Sequence, residues 1–324
     1  MNEDWLKKGF VDEEISLGVE LAEAVRNLAG KKNAVILAHY YQNAEIQDVA
    51  DFVGDSLDLS RRAAQTDARI ILFAGVHFMA ETAKILAPAK KVLVPDLNAG
   101  CSLADSCPPD AFAEFLKEHP DHIVVTYVNT SAEIKALSDL CCTSTNVLKI
   151  IEQIPAGQKI IFAPDRNLGN YINSLTGRNM LVWNGACHVH EEFSLEKILK
   201  LKNEYPGAKV IAHPECQKPV LIAADYVGST SALLKHTRTE PATVFIVATE
   251  SGILHQMKKA SPAKLFIPAP PNDSTCACNE CKFMKLHTLK KIYLTLKYGW
   301  PEVTVREEIR IKAEKPIRRM LEMS

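Results

Sequence analysis

An excess of charge of either sign is missing from this sequence. Its 38 Lys and Arg stand against 39 Asp and Glu, a formal net charge of -1. No basic footprint for a phosphate backbone or an anionic membrane surface follows from such a balance. Long apolar runs are also missing. None reaches the roughly 18 to 20 residues that a membrane span needs. The opening stretch MNEDWLKKGFVDEE is acidic and amphipathic, without the apolar core of an export signal. A cytoplasmic protein acting on small molecules, with neither nucleic acid nor membrane as partner, is the expectation. Two phosphate-binding signatures, G-x-G-x-x-G and G-x-x-x-x-G-K-[ST], are absent as well. Their absence argues against a dinucleotide oxidoreductase and a P-loop ATPase.

Cysteine, by contrast, is plentiful, with nine residues in a chain of 324. In a reducing compartment that number points to metal or catalysis before a disulfide framework. The length exceeds what one core usually spans, so two or three small domains are expected.

A threefold repeat organises the chain. NAVILAHYYQNAEIQDVADFVGDS, HIVVTYVNTSAEIKALSDLCCTS and AKVIAHPECQKPVLIAADYVGST each open on a short β-branched run. A polar cluster and a helix-like stretch follow. Each segment closes on an Asp with a Ser or Thr five positions later: Asp51/Ser56, Asp139/Ser144 and Asp225/Thr230, with the Asp residues 88 and 86 positions apart. Second and third apolar runs follow every anchor. Nine strand candidates in three sets of three, alternating with helical patterns, predict βαβ units on buried parallel sheets. The fold class read from this is α/β, with three similar αβα domains. The expected divisions are 1–110, 111–195 and 196–289. The helical patterns EEISLGVELAEAVRNLAG and EEIRIKAEKPIRRMLEM fall outside the repeat, and segment 290–324 is expected to pack on the first domain.

The third apolar run of each unit ends in cysteine: Cys101, Cys187, and a trio in CACNEC, Cys276, Cys278 and Cys281. Open α/β sheets bind ligands beyond the carboxyl ends of their strands. Three such domains facing one another around a pseudo-threefold axis would bring three thiolates together. That donor set suits an iron–sulfur cluster with one iron free of protein, an open position fit for Lewis-acid chemistry. Taken locally, CACNEC also fits half a zinc site, or a Cys278/Cys281 dithiol. No second metal-ligand pair lies at finger spacing, and the periodic Cys101 and Cys187 favour the cluster. Cys141, Cys142 and Cys216 read as small core residues.

The stretches LAHYYQ, DFVGDS, YVNTSAEIKA, PDRNLG, CHVHEEF, HPEC, DYVGST and KPIRRM occur in this order between about residues 34 and 320. In them the chain resembles the quinolinate synthase (NadA) family. The resemblance implies three αβα domains in a triangle around one [4Fe-4S] cluster. It also implies condensation of iminoaspartate with dihydroxyacetone phosphate to quinolinate, with loss of phosphate and two waters, in de novo NAD biosynthesis. Contact with the aspartate oxidase or dehydrogenase that supplies the imine would be a possible partnership. The implied cluster ligands are Cys101, Cys187 and Cys281, the last chosen because it opens CKFMKLHTL, where the family's ligand cysteine precedes a short x-x-M helix start. The trio's C-x-C-x-x-C departs from the commoner C-x-x-C-x-x-C, which keeps Cys276 and Cys278 as alternative ligands. A hydro-lyase acting on another small acid through an open-iron cluster is the nearest rival activity.

Polar residues at equivalent strand ends complete the expected site. His39 and Tyr41 follow the first strand of domain one, Tyr127 and Asn129 that of domain two, and His213 and Glu215 that of domain three. Imidazole and phenol suit proton transfer to a phosphorylated ketose. By resemblance His39 binds substrate and Tyr41 assists catalysis. Glu215 is the candidate base, expected to have a raised pKa, and His190 a substrate contact or proton shuttle. Ser56, Ser144 and Thr230, placed where loops enter helices, suit anionic groups. Arg166 and Asn167 are assigned to the wall of domain two.

Overall fold

The structure, a computed structural model, describes residues 2–273 and 280–324. Twelve strands lie among the described residues. They are β1 (Ala34–His39), β2 (Phe52–Gly54), β3 (Ile70–Ala74), β4 (Lys91–Leu93), β5 (Ile123–Tyr127), β6 (Leu140–Cys142), β7 (Ile160–Ala163), β8 (Leu181–Val182), β9 (Lys209–Ala212), β10 (Tyr226–Val227), β11 (Val244–Ala248) and β12 (Leu265–Pro268). They form three four-stranded parallel sheets of one topology, β2-β1-β3-β4, β6-β5-β7-β8 and β10-β9-β11-β12. The α/β class with three similar αβα units is therefore present.

Each sheet is covered on both faces. Along β1, Val35 and Leu37 join one core cluster while Ile36 and Ala38 join another. Along β11, Phe245 and Val247 face one cluster, Ile246 and Ala248 the next. Strands buried on both sides have no polar face, which is why they read as unbroken apolar runs.

Four strands per sheet, where three apolar runs were expected, come from the anchor segments. β2, β6 and β10 are the short stretches after Asp51, Asp139 and Asp225. At two or three residues they look like the tail of the preceding helix pattern. The anchors themselves explain why they form. The backbone N–H of Asp51 donates to Ile36 O at 3.0 Å, that of Asp139 to Val124 O at 2.9 Å, and that of Asp225 to Val210 O at 2.7 Å. In return each carboxylate accepts the N–H of the same partner, at 2.7, 2.8 and 2.9 Å. Each repeat thus pins the edge strand to the second or third residue of its neighbour with a reciprocal pair of hydrogen bonds, a register lock that a sheet with buried faces requires.

The flanking helices differ from the pattern-based reading. Helix begins only at Leu21 and runs to Lys32, with Glu20 accepting the Glu23 N–H as N-cap. Residues 11–20 stay outside it, with Gly18 at a φ of 84° and Leu17 fully exposed. A stretch with no buried stripe gains nothing from helix formation. Helix Leu289–Tyr298 lies against Leu21–Lys32, whereas Glu307–Glu322 touches His77–Leu86, Ala132–Ala136 and β6. No helix among the described residues is long and apolar enough to cross a membrane.

Candidate active site

The strand ends of all three sheets open on one cavity. His39, Tyr41, Ser56, Cys101, Tyr127, Asn129, Ser144, Cys187, His190, His213, Glu215, Thr230 and Cys281 all line it, so the structure brings together every residue singled out for the site. Equivalent repeat positions supply most of them. His39, Tyr127 and His213 stand twelve residues before their anchor Asp, and Tyr41, Asn129 and Glu215 ten before it.

Backbone geometry fixes both strand-end imidazoles in one tautomer. The N–H of Tyr41 donates to His39 Nδ1 at 3.2 Å, and that of Glu215 to His213 Nδ1 at 3.3 Å. The proton of each neutral ring therefore sits on Nε2. Burial holds both rings neutral, lowering His39 to about 4 and His213 to about 3. His213 Nε2 meets Ser144 Oγ at 3.2 Å.

A chain of polar contacts runs across the cavity. Tyr127 Oη donates to Glu215 Oε1 at 2.6 Å, and His190 Nδ1 stands 3.1 Å from Glu215 Oε2. On its other side His190 Nε2 lies 3.1 Å from Thr249 Oγ1. Thr249 Oγ1 is 2.8 Å from Tyr41 Oη, which is also 3.0 Å from Thr230 Oγ1. Burial alone would raise the Glu215 carboxyl pKa, the expected direction. Here His190 and the Tyr127 hydroxyl outweigh it and hold the group at about 2. The expectation failed because it counted desolvation without the donors the fold supplies. Burial and the Glu215 charge push both Tyr41 and Tyr127 well above the ordinary phenol value. Asn129 Oδ1 is buried with no hydrogen-bond partner among the described residues.

Three thiols share the cavity, and each sits in the same kind of turn. Cys101 and Cys187 are the residues preceding the short helices Ser102–Asp105 and His188–Glu191, and Cys281 leads into the 3-10 turn Met284–Leu286. Each sulfur receives a backbone N–H from three residues ahead: Ala104, His190 and Met284. All three are free thiols that burial pushes up, Cys101 to about 12. Burial opposes a lone thiolate, while the N–H donors and a bound cation favour one. Converging thiols with preset N–H donors thus fit a sulfur-ligated metal centre. One further donor group, Cys187, His190 and Glu215, has ligand atoms within 4.8 Å of one another. Cys276 and Cys278 lie outside the described residues. Cys141, Cys142 and Cys216 are fully buried, as core residues should be.

Two helix entries differ from the sequence reading. Ser56 and Thr230 are first helical residues, and the caps are their neighbours Asp55 and Ser229. Asp55 Oδ1 already accepts the N–H groups of Leu57 and Asp58, both at 3.1 Å. Its carboxylate also lines the cavity. A charged cap opposes a second anion there, whereas the helix at Thr230 opens with a neutral cap. Arg166 and Asn167 grip Glu191, and Asn167 Nδ2 also donates to the Glu215 carbonyl at 3.0 Å. Sequence reasoning missed Asp55, Thr249 and Glu250. The repeat offered a signal, since Glu250 stands where the other units have Val76 and Asp165, two residues past the strand end.

Residues 23–322 match the model of a family described as quinolinate synthetase A protein, NadA. A quinolinate synthase of Thermosynechococcus vestitus is 60% identical over 308 residues, 95% of this chain and 97% of that protein. One from a Nostoc species is 61% identical over 308 residues, with 95% of each chain covered. A third, from Chloroherpeton thalassium, is 59% identical over 306 residues, covering 94% of this chain and 95% of the relative. With the match spanning all three sheets and every cavity-lining thiol turn, the chain belongs to the quinolinate synthetase A family.

Proposed function

We propose that this chain is a quinolinate synthase that joins iminoaspartate and dihydroxyacetone phosphate into quinolinate, releasing phosphate and two waters, around a [4Fe-4S] cluster held by Cys101, Cys187 and Cys281. The observation that carries the reading is the triple recurrence of one N–H-to-sulfur turn, once per sheet, in a cavity that also holds the Glu215 network. Full-length identity of about 60% to proteins named for this activity supports the substrates. When bound, the cluster supplies an iron without a protein ligand, a Lewis acid for substrate oxygen or nitrogen.

The chain's own groups account for binding and proton movement. Glu215, with its pKa at about 2, is a carboxylate throughout the neutral range. It accepts a substrate proton in company with Tyr127 and His190, the two groups that contact its oxygens. Tyr41, joined to His190 through Thr249, extends the relay to the far wall. His39 and His213 present N–H donors from Nε2, and Asn129 an unpartnered amide oxygen, for the polar groups of the substrates. Ser144 and Thr230 hydroxyls serve carboxylate or phosphate oxygens. Ser56 offers only its hydroxyl and its own N–H beside the Asp55 charge.

Anaerobic reconstitution with iron and sulfide tests the reading. The expected result is about four irons per chain, with Cys101→Ser, Cys187→Ser and Cys281→Ser each losing most of them. Quinolinate should form only when both substrates are supplied. Wild-type protein that takes up zinc alone, or a Cys101→Ser variant that keeps its full iron, would overturn it.

A further inference from the structure

Cys101 and Cys187 stand eight and five residues past the ends of β4 and β8, but Cys281 stands thirteen past Pro268, the end of β12. The third thiol therefore reaches the cavity on the longest tether. At the position equivalent to Glu250 the buried Asp165 carboxylate faces the Cys187 N–H, but among the described residues only the third turn adds a lysine paired with its carboxylate. The Glu250 side chain is wholly buried. Its Oε1 accepts the Cys281 backbone N–H at 3.2 Å and lies 2.9 Å from Lys285 Nζ. Its Oε2 accepts the Gly252 N–H at 2.7 Å. Lys285 Nζ in turn donates to the Tyr41 carbonyl at 2.8 Å, and the Lys285 N–H to the Cys281 carbonyl at 3.1 Å.

We propose that Glu250 and Lys285 form a buried clamp that locks the Cys281 turn and the Tyr41 loop into one register. They are positioning residues. Glu250 follows Thr249, whose hydroxyl meets Tyr41 Oη, so the loop is held at its phenol by Thr249 and at its backbone by Lys285, the ion-pair partner of the next residue. Gly252 closes the same junction. A Cβ there would stand 2.7 Å from the Tyr41 carbonyl carbon and 2.8 Å from Tyr40 O. Gln47 Nε2 ties the Gly252 carbonyl to the carbonyls of Tyr40 and Gln42. Ser251 Oγ, 3.4 Å from Glu280 Oε1, adds a second link between the two segments. Removing Lys285 leaves the buried Glu250 carboxylate without its cation, and removing the Glu250 charge weakens both the Cys281 N–H contact and the tie to Lys285, so the turn is released either way.

The consequence for iron rests on the cluster reading above, but the clamp itself can be tested on iron-free protein. Iodoacetamide labelling followed by peptide mass spectrometry reads each thiol separately. In Glu250→Gln and Lys285→Met, Cys281 should be labelled about tenfold faster than in wild type, while Cys101 and Cys187 stay within about twofold. Lys285→Arg, which keeps the cation, should recover most of the protection. After anaerobic reconstitution the first two variants should hold less than about half the wild-type iron. Should one of them fail to fold by circular dichroism, the other decides. Cys281 labelling within about twofold of wild type in a folded variant, or equal acceleration at all three thiols, would overturn the clamp. Wild-type protein that binds no iron would instead overturn the cluster reading, leaving the labelling result to judge the clamp alone.

Discussion

Glu215 is the carboxylate on which the cavity's polar chain converges. Its oxygens face Tyr127, His190 and His213, and a neutral amide in its place would mismatch the first two. Glu215→Gln is expected to lower kcat by about 10²- to 10⁴-fold while iron content stays at the wild-type level. Paired kinetics and iron assays check this. A second residue-scale prediction concerns His287, which is fully buried and donates from Nε2 to Gly75 O at 2.8 Å. Burial lowers its pKa to about 4, so the folded chain keeps this ring neutral. The unfolded chain protonates it below about 6.5. The stabilising effect is thus complete above that value and is lost as pH falls from about 6.5 to 4, by up to roughly 3 kcal/mol. Denaturant unfolding of iron-free protein across that window should show a shallower pH slope for His287→Asn than for wild type.

At the scale of elements, the anchor aspartates set the register of each sheet. Asp139→Ala removes the acceptor for Val124 N–H and is expected to cost about 1 to 3 kcal/mol, measured as a shift in the urea midpoint. The loop after β11 tests a different kind of constraint. Gly252→Ala would press a methyl group into the Tyr40–Tyr41 backbone. It should reduce kcat by about tenfold or more, with a crystal structure showing Tyr41 displaced from Thr249. The sequence disclosed the anchors as a spacing but not their purpose. An Asp five residues before a hydroxyl is a pattern, whereas a carboxylate closing a hydrogen-bond pair across fifteen residues is a fact of the folded sheet. For the same reason β2, β6 and β10 escaped notice, since two or three residues carry too little periodicity to mark a strand.

For the whole molecule, the proposed centre where three lobes meet would make metal binding a stability term as well as a catalytic one. A ligand that binds only the folded arrangement stabilises it by mass action. Anaerobic holoprotein is expected to melt several degrees above protein stripped of iron, checked by calorimetry under argon. Cys141→Ser, whose thiol lies in the second-lobe core, should leave the iron content unchanged.

By itself the sequence determined the α/β class, the threefold repeat, the family resemblance and the roster of polar strand-end residues. All of these are written in local order: apolar runs, spacings and short motifs. Only the tertiary structure decided that Glu215 is held ionised, that Asp55 caps the helix beside Ser56, and that Glu250 and Lys285 grip the Cys281 turn. Each of those depends on partners between 2 and 88 residues away. Their charges and dipoles act through space, and a pattern along the chain has no means of recording which of them meet.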